Sequence, residues 1–170
     1  MRLPLSTLDV LDGGGPSATK TWANDLLDLG FIDDAIVDLA VIDDDDWERS
    51  QRLVKAILKH FDVHETCDAA SQRLRIEILV GAFEQRLISP RALLSRLLAL
   101  AKDHTALGQL WAIDEVITWA VPASTTDPDA RHWVESLAAE GLDPLQPDLW
   151  LERKLSDLLP TLRSLRREPE

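Results

Sequence analysis

Tyrosine is absent from this chain, cysteine and methionine occur once each, and phenylalanine only three times. The single thiol, Cys67, can form no internal disulfide, so packing alone must hold the fold, and a reducing cytoplasm is the expected setting. No run of about 18 apolar residues occurs, which argues against a membrane-spanning helix. The opening stretch MRLPLSTLDVLDGGGP has one arginine and an apolar run broken by acids, and so does not read as a signal peptide. The segment DGGGPSATKT contains glycine, lysine and threonine but not the G-x-x-x-x-G-K-[ST] spacing that cradles phosphate, and no G-x-S-x-G nucleophile turn appears. Basic residues are also scarce. Against 30 Asp and Glu stand 18 Lys and Arg, a net charge of −12, which disfavours nucleic acid and anionic membrane as partners.

What is present is helical periodicity. A chain of 170 residues can bury roughly 70% of its unfolded surface, enough for one core. Ile76, Leu79, Val80, Phe83 and Leu87 form one stripe. Leu94, Leu97, Leu98 and Ala101 form another, opened by Ser89 as N-cap and Pro90 at the first helical position. Leu110, Ile113, Ile117 and Ala120 mark a helix that Pro122 should stop. Ala130, Trp133, Val134 and Leu137 mark the next, opened by TDPDA and closed near Gly141. Leu151, Leu155, Leu158, Leu159 and Leu162 mark the last, in which Pro160 predicts a kink or an early end. Upstream, helices are expected over 17–29, 33–41 and 44–61. Alternating strand patterns are scarce, so the fold class is all-α: a compact bundle of about seven to eight helices. Residues 1–16, glycine-rich, are expected as a flexible arm, and 17–170 as a single helical domain with 121–129 as candidate hinge loop.

Charge is distributed in blocks. Residues 1–48 hold twelve acids and two bases, 49–102 ten bases and five acids, 103–152 ten acids and the lone base Arg131, and 153–170 five bases and three acids. Such blocks either pair within the fold, each exposed pair contributing roughly 0–1 kcal/mol, or form an acidic face that selects a basic partner and speeds its arrival.

The densest block is Asp43–Asp46, directly before Trp47. Adjacent helical residues point about 100° apart, so four aspartates cannot converge on one ion, and the order of a calcium-binding loop is missing. A helix start is the better reading: Asp44 or Asp45 caps, with Asp45 and Glu48 at capping-box spacing. One cap uses one carboxylate, and the surplus suggests a docking face containing Asp43, Asp44, Asp46 and Trp47. A second candidate lies in LWAIDEVITWAV, where Trp111 and Trp119 are eight apart and Asp114 and Glu115 sit between them. Exposed tryptophan beside acid suits an interface, although the core is the commoner place for this residue. Trp111, Asp114 and Glu115 complete the candidate partner-binding set. The metal alternative is KHFDVHETC: His60, His64 and Cys67 would share one side of a continuous helix, three ligands of the kind zinc accepts. The helix is expected to end near Phe61 or Val63, which breaks that spacing, so no metal and no cofactor is expected. His104 is expected at a helix C-terminus.

The stretch WANDLLDLGFIDDAIVDLAVIDDDDWERSQRLVKAILKHFDV, extended by LWAIDEVITW, resembles small helical bacterial proteins of uncertain role, some of them immunity proteins that neutralise a neighbouring toxin. The resemblance covers about 40 residues and carries over no functional residue. It implies an acidic inhibitor of a basic toxin. The expectation is therefore a cytoplasmic, non-enzymatic, protein-binding module. The alternatives are a structural or adaptor protein that self-associates through a helix face, and a small metal-dependent enzyme.

Overall fold

The structure, a computed structural model, describes residues 3–64, 69–101 and 108–165. Of these, 72% are helical and none lies in a strand; nine helices have five residues or more, eight of them seven or longer. The order is α1 (Thr7–Leu11), α2 (Pro16–Asp28), α3 (Asp34–Ala40), α4 (Trp47–Lys59), α5 (Ala69–Glu84), α6 (Pro90–Ala101), α7 (Gln109–Glu115), a π turn (Val116–Ala120), the single turn α8 (Val121–Ala123), α9 (Pro128–Ala138) and α10 (Pro147–Ser164). Internal contacts divide the chain into two compact units, Met1–Gly81 and Ala82–Glu170. The division falls within α5, whereas the loop 121–129 lies inside the second unit. Among the described residues, no helix is long and apolar enough to cross a membrane.

In the first unit α2 packs on α1, α3 and α4. Its core gathers Trp22, Leu26, Leu39 and Ile57, all fully buried, with Phe31 and Phe61 meeting edge to face at 5.9 Å. The segment expected as an arm carries α1, whose Leu8, Val10 and Leu11 are buried. Four polar contacts anchor it. The Trp22 indole N–H donates to Thr7 Oγ1 at 2.9 Å, Ser6 Oγ donates to Asp25, and the Arg75 guanidinium pairs with Asp12 and donates to the Leu11 carbonyl at 2.6 Å. Of the three glycines after α1, Gly14 serves close approach. A Cβ on Gly14 would lie 2.6 Å from the Asp9 carbonyl oxygen, which the Gly14 N–H itself needs as its partner. Gly30 ends α2 with φ 85°, a left-handed conformation that frees the Phe31 N–H to donate to the Leu26 carbonyl.

In the second unit α6 contacts α7 and α10, and α9 contacts α8 and the π turn. The N-terminal signals act as the sequence suggests. Ser89 Oγ accepts from the Ala92 N–H at the head of α6, and Asp127 accepts from the Asp129 N–H with Pro128 at the first position of α9. Two prolines lie within helical structure, and Pro122 does not stop its helix as expected. Helical structure runs through Pro122, because the π turn before it shifts the ladder: the Val121 N–H donates to the Val116 carbonyl, five residues back, and Thr118 Oγ1 donates to the Asp114 carbonyl. Likewise α10 runs through Pro160 to Ser164 with no early end, its last turn held by buried Leu162. Arg131, the lone base of its block, donates to the Ser124 and Thr125 carbonyls and so ties down the turn between α8 and α9.

Candidate functional site

The four aspartates separate into two working residues and two without a side-chain partner. Asp46 is the N-cap of α4: its carboxylate accepts from the Arg49 N–H at 3.2 Å. Asp44 pairs with Lys20 of α2 at 2.6 Å, with 69% of its side chain exposed. Asp43 contributes its carbonyl to the turn, accepting from the Asp46 N–H. Its carboxylate and that of Asp45 are exposed and have no partner among the described residues. The expected cap at Asp44 or Asp45, with Glu48 completing a box, is therefore corrected to Asp46. The register is set from inside: Ser50 is buried and shares a hydrogen bond with Thr19 of α2, while Val54, Ile57 and Leu58 face the core. That phase leaves Trp47 at the first helical position and makes Asp46 the cap.

Beside this turn are exposed apolar side chains of which the sequence pattern singled out only Trp47. Five large apolar side chains between positions 29 and 47 are exposed: Leu29, Ile32 at 85%, Val37, Val41 at 77% and Trp47 at 41%. The same stretch holds seven aspartates and no base. On α3, Ile36 and Leu39 face inward, while Asp34, Val37, Asp38 and Val41 take the other side. The signal was available: valines four apart on the acidic side of a helix are not core residues. Asp38 pairs with Arg49 at 2.8 Å, joining the exposed sides of α3 and α4.

The second candidate cluster belongs to the other unit. Trp111 and Trp119 are each 48% exposed, which corrects the expectation of a core position for the pair. Buried Leu110, Ile113, Val116 and Ile117 line the inner side of this helix, and that phase turns Trp111, Glu115 and Trp119 outward. Asp114 is half-buried. Trp119 packs against Trp133 of α9, ring centroids 6.2 Å apart. Trp22 and Trp150 are the two buried indoles.

Within the second unit, α7 with the π turn, α9 and α10 border a cavity of about 510 Å³. Ile113, Val116, Trp133, Leu137, Trp150 and Leu158 give it apolar walls, and Lys154 and Asp157 also line it.

Of the alternative metal ligands, His60 and His64 do not share one helix. α4 ends at Lys59 and the chain turns at Asp62, φ 58°, between His60 and His64, both exposed. Cys67 and His104 lie outside the described residues. Among those described, no group of three His, Cys, Asp or Glu could hold a metal ion.

The charge blocks pair in part. Asp38–Arg49, Asp12–Arg75, Asp148–Arg91 and Glu140–Lys154 each join an acidic block to a basic one. The acids of the α3–α4 turn exceed the bases beside them, and that excess stays at the surface. The chain matches no family model, no curated protein and no solved structure.

Proposed function

We propose that the chain is an acidic protein-binding module whose first unit docks a basic protein through the exposed side of α3 and the turn into α4. The reading extends to an inhibitor of a basic bacterial toxin, in the manner of an immunity protein. The observation that carries it is the mixture of exposed apolar and unpaired acidic side chains at one place. Val37, Val41 and Trp47 offer area that gains from desolvation, and Asp34, Asp43 and Asp45 supply charge that has no ion-pair partner among the described residues. Hot spots of interfaces combine these two properties. A second copy of this chain is a poor occupant of the same face, since it would bring aspartates against aspartates.

The test uses a partner crosslinked in the native host and then purified. Replacing Asp43 and Asp45 together by asparagine slows association at least several-fold at low salt, and the loss shrinks at high salt. Val41→Ser speeds dissociation instead. Kinetics unchanged from the wild type in both variants would remove this reading.

A further inference from the structure

The cavity of the second unit holds a feature that its packing does not account for. Trp150 is 3% exposed and lines the cavity, yet its Nε1–H is buried without a hydrogen-bond partner. It is the one buried side-chain polar atom so left among the described residues. Trp22, the other buried indole, has its partner in Thr7. An unmade bond in a buried site is unfavourable, and native proteins keep few of them. The volume, about 510 Å³, falls in the range of small-molecule sites, and two indoles among aliphatic walls fit their usual lining.

We infer that this cavity is a binding site for a small neutral molecule with a flat apolar body and one hydrogen-bond acceptor, a ketone, ester or amide oxygen that takes the Trp150 N–H. Charge selects the neutral form. The Lys154 ammonium already pairs with Glu140, and Asp157 adds a carboxylate to the lining, so an anion finds no unmatched cation there. The N–H is closed to water, so an acceptor reaches it only by displacing a neighbour. Lys154 lines the same cavity with its ammonium over the Trp150 ring, 5.4 Å from the centroid. The site belongs to the second unit, and the inference does not rest on the reading of the α3–α4 face.

Three probes of one shape test the inference: 2-acetylnaphthalene, 2-ethylnaphthalene and 2-naphthoate. The readout is the indole region of a ¹⁵N–¹H correlation spectrum, six crosspeaks for six tryptophans, with Trp150 assigned by its absence in Trp150→Phe. The ketone shifts the Trp150 crosspeak saturably. The hydrocarbon, lacking the acceptor, binds roughly five- to tenfold more weakly, as does the anion. Val116→Trp and Leu137→Trp each fill the cavity and abolish the shift; whichever keeps the other crosspeaks dispersed serves as the control. An unmoved Trp150 crosspeak at the solubility limit of the ketone, equal affinity for the hydrocarbon, or binding that survives in a folded filled variant overturns the proposal.

Discussion

Replacing Asp46 by alanine should cost stability, whereas replacing Asp43 and Asp45 together by asparagine should not, although all three are exposed aspartates within four positions. Asp46 accepts the Arg49 N–H and stands at the positive end of the α4 dipole. Loss of such a cap costs about 0.5–2 kcal/mol, and the 3.2 Å bond in an exposed setting places Asp46→Ala near the middle, about 1 kcal/mol. Asp46→Asn keeps an acceptor and should lose only a few tenths of a kcal/mol. Asp43 and Asp45 make no side-chain bond among the described residues, so removing their charges relieves mutual repulsion and leaves stability equal or slightly raised. Asp44→Asn is intermediate: it loses an exposed pair with Lys20 that is worth about 0–1 kcal/mol. Urea unfolding at 25 °C distinguishes these, followed by circular dichroism for the helices and by tryptophan fluorescence for the packing. Coincidence of the two curves shows whether one free energy describes the chain, which matters for a protein of two units. A double variant as unstable as Asp46→Ala, or an Asp46→Ala protein as stable as wild type, would refute the division of labour within the run.

Three further outcomes follow from the packing. Thr7→Val removes the acceptor for the buried Trp22 N–H and should cost about 1–3 kcal/mol by urea unfolding, with Trp22→Phe in the same chain recovering part of it. Arg86→Gly should stabilise by roughly 1 kcal/mol, because Arg86 is exposed and holds a left-handed φ of 59° after α5 that glycine adopts without strain. Leu151→Ala empties a fully buried position in α10 and should cost about 2–5 kcal/mol, with a matching fall in melting temperature.

Local chemistry was readable from the chain, and tertiary placement was not. Ser89-Pro90, Asp127-Pro128 and Gly30 mark helix ends because a cap or a left-handed turn is a property of a few adjacent residues. The cap of α4 lies at Asp46, one residue beyond Asp45 and two beyond Asp44, because four identical candidates stand in a row and the buried Ser50–Thr19 contact, with the inward Val54, Ile57 and Leu58, decides among them. The exposure of Trp111 and Trp119 could not be read from composition, since indoles favour the core and only the phase of Leu110, Ile113 and Val116 turns these outward. Helical structure through Pro122 was hidden for the same kind of reason: a proline stop assumes a regular ladder, and the π turn supplies an irregular one. At the candidate site the aspartates were visible as surplus charge. Val37 and Val41 were not picked out because an apolar residue in a short helix reads first as core.

The π turn at Val116–Ala120 has a consequence for how this helix tolerates change in length. On a regular α-helix, residues eight apart are about 80° out of line. A π turn takes up about one extra residue, so Trp119 comes round to within about 20° of Trp111, as if the two were seven apart. Loss of a single codon between positions 116 and 118 would let the turn relax to a plain α-helix while both indoles kept their common heading. The same loss anywhere in α4 or α10 would rotate every residue beyond it by about 100° and carry the buried stripe out to the surface. The widened turn is thus a seam in the reading of the helix, a place where the gene can shorten and the protein surface stays the same.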